Sequence, residues 1–308
     1  MSATVVVSGA AVLLPGADSV RALLAGPEQG APAVVPADLV GRKGLRYKDR
    51  ATQLGYALAA LVLADAGLTG EDGTAAGTGV VASSNFGNLD TVTRALDTIR
   101  AETVTGTSPM DLPNASSNVI ASSVAIRHGL RGPNLMVCNG PTSGLDAVHW
   151  AATLLRAGRA ERMLVLGVEP DSEVVRRLTG GHPGIDGGAA LLLEREDAVH
   201  ARGGTVRAVL GGYARAGAVR DVLDRLAAEG EPARCEAPAG LDAALLPGVP
   251  RAGLPEHCGE ASGALGVVQC AAAVGWFEDG GSGPVYALTG GAGADAGAGL
   301  ALLAPGTP

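Results

Sequence analysis

Residues 137–150, VCNGPTSGLDAVHW, join a short apolar run, a Gly-Pro pair and the start of a helical pattern. A strand that turns sharply into a helix often holds an enzyme nucleophile, because the helix N-terminus stabilises negative charge and lowers a thiol pKa. Here the tip of the turn is Pro141, which carries neither a thiol nor a hydroxyl. Proline suits the first position of a helix, where its missing N–H would have no partner. We call residues 138–143 the elbow; it has the form of a nucleophile turn without the nucleophile.

Cys138 and Ser143 are the remaining candidate nucleophiles in this stretch. The period of two along a strand places Cys138 opposite Val137, and a buried, unreactive thiol is the usual outcome there. Ser143 and Thr142 are residues that commonly hydrogen-bond a helix N-terminus, and no histidine stands at a recognisable spacing to activate them. We therefore predict structural roles for these side chains, with nucleophilic catalysis as the alternative.

Glu260 and the histidines are the groups that could move a proton. Glu260 is predicted to lie at a helix N-terminus, where the helix dipole stabilises a carboxylate, and a general acid or base is the alternative. His128 is expected to meet the last carbonyls of a helix, and His149 to pack within one. His257 and Cys258 are metal-ligand types without a third ligand nearby, so no metal site is predicted.

The composition indicates an acidic, aliphatic protein with a large core. Of 308 residues, 47% are hydrophobic and only 3% aromatic, and the formal net charge is −8. Without a basic cluster longer than two or three residues, this charge argues against nucleic-acid or membrane-surface binding. Four scattered cysteines predict no disulfide framework or zinc site and favour a reducing cytoplasm.

Targeting segments and cofactor motifs are also not predicted. No apolar run is long enough for a membrane span, and the N-terminal TVVVSGA is interpreted as a first strand rather than a signal peptide. The glycine-rich GGAGADAGAG lacks the Lys-Ser/Thr ending of a phosphate loop, so no nucleotide cofactor is expected.

Strand-like and helix-like patterns alternate along the chain and predict a mostly parallel sheet covered by helices on both faces. Two successive rounds of the pattern predict two related halves, residues 1–200 and 201–308, in one compact unit. The predicted strands are 5–13, 79–85, 134–139, 162–171, 205–217, 284–291 and 298–305, with 187–197 as an edge or hairpin strand. The predicted helices are 48–67, 88–102, 113–129, 142–158, 219–230 and 260–278, and residues 231–259 are predicted as a loop with at most one short strand.

Residues 124–148, VAIRHGLRGPNLMVCNGPTSGLDAV, resemble the β-ketoacyl synthase family of the thiolase fold. In that family a strand led by Gly-Pro runs into a turn that carries the nucleophilic cysteine. When the Gly-Pro pair at 132–133 and the Ser-Gly pair at 143–144 are aligned with the family, the cysteine position falls on Pro141. The resemblance implies an α/β fold with the layers αβαβα, built from two duplicated halves.

The family's two histidine segments are altered in this sequence. Residues 259–266, GEASGALG, resemble the family's GHxxGAAG segment with Glu260 at the histidine position, and the HGTGT-like segment is missing. The glycine-rich loop near the C-terminus also lacks the family's gating phenylalanine. Because a carboxylate at 260 would repel an enolate by about a few kcal/mol in a dry site, condensation by this chain alone is not expected.

Within the family, SVAIRHGLRGP and SGLDAV are most similar to the chain-length factor subunits of type II polyketide synthases, which serve antibiotic biosynthesis. The short length resembles the reduced partners of highly reducing, polyene-forming systems. The resemblance implies a ketosynthase partner in a heterodimer or a dimer of heterodimers, and an acyl carrier protein that arrives through that ketosynthase.

The segment 108–133 is similar to the family's stretch from the substrate tunnel to the dimer-interface helix. Residues expected to line the tunnel or face the partner are Phe86, Met110, Leu112, Asn114 and Asn118. Two alternatives stay open: a thiolase-fold acyltransferase or hydrolase that uses Cys138 or Ser143, and a homodimeric scaffold pseudo-enzyme.

Overall fold

The structure is a computed structural model and describes residues 3–68, 76–109, 111–291 and 294–306. The strands in these residues are β1 (Val5–Leu13), β2 (Thr78–Ser83), β3 (Asn134–Val137), β4 (Arg162–Glu169), β5 (Gly187–Arg195), β6 (Ala208–Ala216), β7 (Arg234–Glu236), β8 (Arg251–Ala252), β9 (Val285–Thr289) and β10 (Gly297–Leu303). The α-helices are α1 (Val20–Ala25), α2 (Pro36–Val40), α3 (Arg50–Asp65), α4 (Leu89–Glu102), α5 (Val119–His128), α6 (Ser143–Arg156), α7 (Glu173–Leu178), α8 (Glu196–Ala201), α9 (Val219–Leu226) and α10 (Leu265–Glu278). No helix in the described ranges is long and apolar enough to cross a membrane.

The strands form one sheet in the order β3-β2-β4-β5-β1-β6-β10-β9-β7-β8. The sheet consists of two sets of five strands, β1–β5 and β6–β10. From the outer edge of the sheet inwards, each set has the same order: its third, second, fourth, fifth and first strand. The directions repeat as well, because the second strand is parallel to the third and fourth, and the fifth is antiparallel to the fourth and first. The two sets join through two residue pairs between β1 and β6. This repeat agrees with the predicted duplication, and the boundary after residue 200 stays a prediction.

Alternation along the strands builds the layers. On β2, Val80 packs against α3 and α5, whereas Val81 packs against α6 and α10. On β9, Tyr286 faces the layer of α9, whereas Ala287 faces the inner helices. The order is therefore α3 and α5, the first set of strands, α6 and α10, the second set, and α9. These are the predicted αβαβα layers.

Several boundaries differ from the sequence prediction. Strand β5, which was predicted as an edge or hairpin strand, lies between β4 and β1 and is antiparallel to both, so it is not at an edge. Its apolar run without alternation is typical of a strand buried on both faces. Helix α5 begins later than predicted, since Leu112–Ala115, which contains Pro113, forms a separate 3-10 turn. The segment 231–259 contains two short strands, β7 and β8, rather than at most one.

The two inner helices meet through glycines at their N-termini. A Cβ placed on Gly144 would lie 2.7 Å from the backbone nitrogen of Gly266, and one placed on Gly266 would lie 2.4 Å from the backbone nitrogen of Leu145. Backbone atoms cannot rotate aside, so only glycine permits this approach. The contact places the start of α10 directly against the elbow.

Candidate functional site

A cavity of about 510 Å³ opens beside the elbow. Pro141 and Glu260, the two positions that the sequence marks as altered, both lie in its wall. The described lining residues are Pro141, Ala237, Pro238, Ala239, Gly240, Leu254, Pro255, Glu256, Gly259, Glu260, Ala261, Leu265, Gly290, Gly291 and Ala294. None of them carries a thiol, hydroxyl, imidazole or amine. The described wall is thus apolar with two carboxylates, a surface that disfavours an anionic substrate.

The elbow is a short 3-10 turn, Gly140–Thr142, that continues directly into α6. Gly140 has a φ of +82°, a conformation that glycine adopts without strain. Asn85, which follows β2, holds this turn: its Nδ2 donates to the carbonyl of Gly140 at 3.0 Å, and its Oδ1 accepts from the Gly140 N–H at 3.3 Å. The same Nδ2 donates to Ser262 Oγ at 2.8 Å, so one side chain connects the elbow with the turn before α10.

Glu169, at the end of β4, is fully buried behind the elbow. It accepts hydrogen bonds from Ser84 Oγ and from the backbone N–H groups of Asn85, Phe86 and Gly263, at 2.6–3.0 Å. Burial raises the pKa of this carboxyl to about 7 against these hydrogen bonds. Sequence reasoning missed Glu169, although a carboxylate that ends the apolar run MLVLGVE is a usable signal.

Cys138 is exposed, so the expectation of a buried thiol is wrong. Strand β3 lies at the sheet edge, and Val137 takes the buried side. Partial desolvation and the neighbouring Glu169 carboxylate raise the thiol pKa of Cys138. A raised pKa reduces the thiolate fraction at neutral pH, which is opposite to what a catalytic cysteine needs.

Ser143 is buried and surrounded by groups of the elbow itself. Its Oγ accepts from the Asn139 N–H at 2.8 Å and lies 2.7 Å from both Asn139 Oδ1 and the Gly140 carbonyl oxygen. Thr142 Oγ1 donates to Asp146 at 2.8 Å. In the described part of the chain, no imidazole is among the hydrogen-bond partners of Ser143, and its contacts are those of a residue that shapes a helix start.

Glu260 is exposed and accepts the N–H of Ser262 at 2.8 Å, in the 3-10 turn that precedes α10. His257 Nε2 lies 3.0 Å from the Pro27 carbonyl oxygen. Cys258 is half-buried, and burial raises its thiol pKa. Over the described ranges, no group of three or more His, Cys, Asp or Glu side chains could hold a metal ion.

Four of the five residues expected to line the tunnel are described by the structure, and they are not among the described residues that line this cavity. Phe86 is half-buried and its N–H donates to Glu169, whereas Leu112 and Asn118 are exposed. Asn114 is buried, accepts from Lys48 Nζ and donates to the Tyr47 carbonyl, so it faces residues 47–48 instead of open space. Met110 lies outside the described residues.

The loop after β7 is a part of the wall that the sequence did not reveal. Residues 237–240, Ala-Pro-Ala-Gly, line the cavity together with the elbow and Glu260. The sequence predicted this region as a loop with at most one short strand. Strand β7, which positions residues 237–240, is only three residues long and has no clear strand pattern. The cavity is thus bounded by Pro141, Pro238 and Glu260, each from a different loop.

Residues 37–177 match the sequence profile of the family described as β-ketoacyl synthase, N-terminal domain. The 3-oxoacyl-(acyl-carrier-protein) synthase 2 of Vibrio harveyi is 27% identical over 205 residues, which are 58% of this chain and 49% of that protein. A tetracenomycin polyketide synthase ketoacyl synthase beta subunit of Streptomyces glaucescens is 31% identical over 209 residues, again 58% of this chain and 49% of that protein. The chain spans about half the length of these curated relatives.

Among solved structures, the ishigamide ketosynthase/chain length factor superposes with a TM-score of 0.83 at 22% sequence identity, covering 98% of this chain and 100% of that chain. The fold is therefore the thiolase-like fold of ketosynthases. Together with the matched profile, this confirms the predicted resemblance to the β-ketoacyl synthase family. The relatives include a polyketide synthase ketoacyl synthase beta subunit as well as 3-oxoacyl-(acyl-carrier-protein) synthases.

Proposed function

We propose that this protein is a non-catalytic subunit of the chain-length-factor type, which pairs with an active ketosynthase in type II polyketide biosynthesis of the highly reducing kind. The observation that carries the proposal is the elbow: the fold builds a turn suited to a nucleophile and places Pro141 at its tip. The described cavity wall offers no thiol, hydroxyl or imidazole in compensation. The partner supplies the catalytic groups, and this chain supplies part of the wall around the growing acyl chain.

The open edge of the sheet supports a partner on the side of β3. Backbone groups on the free side of an edge strand pair readily with another strand. Helices α5 and α6 both contact β3, and each carries an exposed large apolar residue, Ile126 and Trp150. A second ketosynthase-like chain that pairs with β3 would cover both side chains.

An acyl carrier protein is the second partner that we propose, reached through the complex with the ketosynthase. Residues 42–48 place Arg42, Lys43 and Arg46 at the surface, beside the exposed Tyr47. This patch was not expected from the composition, because the basic residues alternate with others instead of forming a run. Its charge complements an acidic carrier and would direct its approach.

Native mass spectrometry after co-expression with a ketosynthase encoded beside this gene tests the proposal. We expect a complex of equal numbers of both chains, with an acyl thioester label only on the ketosynthase cysteine. The protein alone is the control. A self-dimer that ignores the ketosynthase would indicate a scaffold, and acyl label on Cys138 or Ser143 would indicate an acyltransferase or hydrolase; either result contradicts the proposal.

A matched pair of surface variants locates the interface. Ile126→Lys introduces a charge beside β3, and we expect it to weaken the complex with the ketosynthase at least tenfold, because an interface core does not accept an unpaired charge. Leu178→Lys on α7 changes a comparably exposed side chain, 63% against 82% for Ile126, and should leave the complex intact. Equal effects of the two variants would reject the β3 interface.

A further inference from the structure

Asp146 is a buried carboxylate in the first turn of α6, with 5% of its surface exposed. Its Oδ2 accepts from two residues of the elbow, Asn139 Nδ2 at 2.5 Å and Thr142 Oγ1 at 2.8 Å. Its Oδ1 accepts from the hydroxyl of Tyr213 on β6. Arg215 Nε, also on β6, lies 3.6 Å from Oδ2. One carboxylate thus connects the elbow with a strand of the other half of the molecule.

Tyr213 is itself fixed by an aromatic contact. The ring of His149, one turn after Asp146, stacks on the Tyr213 ring with centroids 4.1 Å apart and planes 17° apart. Burial and the nearby Arg156 lower the pKa of His149, which favours the neutral form of the stacked ring. Burial and the Asp146 carboxylate raise the pKa of Tyr213, which keeps its hydroxyl protonated and able to donate.

Burying a carboxylate such as Asp146 costs free energy unless hydrogen bonds satisfy its oxygen lone pairs. The nucleophile is missing from the elbow, so activation of a thiol does not explain why the carboxylate is there. All the donors to Asp146 either belong to the elbow or anchor the carboxylate to β6. The network therefore acts on the shape of the elbow.

We infer that Asp146, anchored by Tyr213 and Arg215, is a positioning residue that holds the elbow in a single shape through Asn139 and Thr142. Asn139 is exposed at the elbow surface, and Pro141 lies in the cavity wall. One consequence rests on the proposed function: this network sets the shape of the wall that the chain presents to the ketosynthase and its acyl chain.

The first test needs no partner and compares Tyr213→Phe with Tyr286→Phe. Tyr286 is the matched control, since its hydroxyl lies 2.6 Å from the carbonyl oxygens of Leu226 and Gly230 and its side chain packs on the α9 side of β9. The probe is amide hydrogen exchange of residues 138–143. We expect the exchange rates to rise about tenfold in Tyr213→Phe, because local opening becomes easier when a hydrogen bond to a charged group is lost. In Tyr286→Phe they should change less than twofold.

Equal changes at the elbow in the two Tyr variants, or none in either, would overturn the inference. Asp146→Asn is a second variant that keeps size and shape but removes the charge, and it should loosen the elbow as Tyr213→Phe does. In the double variant of Tyr213→Phe and Asn139→Ala the effects should be less than additive, since both act through Asp146. Additive effects would show that Tyr213 does not act on the elbow through this carboxylate.

The second test uses the complex with the ketosynthase. Tyr213→Phe should change the distribution of product chain lengths or weaken the complex several-fold, whereas Tyr286→Phe should do neither at equal thermal stability. If the unmodified protein binds no ketosynthase, the proposed function fails, while the elbow measurements still decide the role of Asp146. If the complex forms but the two Tyr variants behave alike in it, the functional consequence of the network is rejected.

Discussion

Helices α6 and α10 occupy equivalent places in the two halves of the molecule, but the hydrogen bonds around their N-termini differ. Each helix follows the third strand of its set, has 14 residues and continues directly from a three-residue 3-10 turn. The turn before α10 is connected through Ser262 and Gly263 to Asn85 and Glu169, which both lie in the first half. The start of α6 is tied by Asn85, Ser143 and Asp146 into hydrogen bonds that reach both halves.

The comparison shows which contacts hold the described residues around the elbow. The glycine contact between Gly144 and Gly266, the buried Glu169 and the network around the elbow preserve a defined shape. The cavity wall, in contrast, consists of proline, alanine, glycine and leucine with two carboxylates. The described elbow is thus held by many contacts, whereas the described cavity wall carries no thiol, hydroxyl or imidazole.

Glu169 gives the largest expected effect, because it hydrogen-bonds the segment before the elbow and the turn before α10 together. Its carboxyl has an ordinary pKa of 4.5 and a folded-state pKa of about 7. The folded protein therefore binds more protons than the unfolded chain in this range. The stabilising contribution is complete below about pH 4.5 and is lost as the pH rises towards 7, a difference of about 3 kcal/mol.

Urea unfolding at several pH values, on the unmodified protein and on Glu169→Gln, measures this contribution. The contributions of the other titrating groups to the free energy of unfolding cancel when the two proteins are compared at the same pH. We expect the free energy of unfolding of the unmodified protein to fall relative to that of Glu169→Gln between pH 4.5 and 7. Parallel curves would show that Glu169 does not titrate there.

The glycine contact between the helix starts gives the next effect. In an exposed helix, replacing glycine by alanine stabilises by up to about 1 kcal/mol. Gly266→Ala should instead lower the free energy of unfolding by about 2 kcal/mol, because the new methyl group meets the backbone of Leu145. Gly217→Ala, where a Cβ meets no atom within 4 Å, is the control and should be near neutral. Thermal unfolding of both variants checks the difference, and a stable Gly266→Ala would mean that the helices can separate.

Restoring a thiol at the elbow should have the smallest effect. Pro141 is exposed at the start of a 3-10 turn, so Pro141→Cys should change stability by less than about 1 kcal/mol. It should also yield no condensation product from acyl and malonyl thioesters, since the described wall lacks imidazole and Glu260 disfavours an anion. Product analysis by mass spectrometry, with an active ketosynthase as the positive control, decides this; detectable product from the single variant would contradict it.

Much of the fold could be predicted because the local patterns are strong. The predicted β1, α3 and α4 agree with the structure to within about two residues at each end. The prediction was incomplete where the local pattern does not reveal the surroundings. The edge alternative for β5 is wrong, because β5 lies between β4 and β1, and β7 and β8 are too short to show a period. The exposure of Cys138 was also missed, because alternation tells which residues share a face but not which face the core will cover.

The candidate site also has features that the sequence predicted and features that it did not. The types and spacing of residues 137–150 and 259–266 by themselves determined a turn and a helix start, because these features are local in the chain. That Pro141 and Glu260 stand at cysteine and histidine positions is what the resemblance to the β-ketoacyl synthase family implies. Only the tertiary structure decided that Pro141, Pro238 and Glu260 bound one cavity, and that Asp146 is held by Tyr213 from the other half. Pro141 and Asp146 are separated from these partners by about 70 to 120 residues of sequence, and their contact depends on how the two sets of strands pack against the shared inner helices.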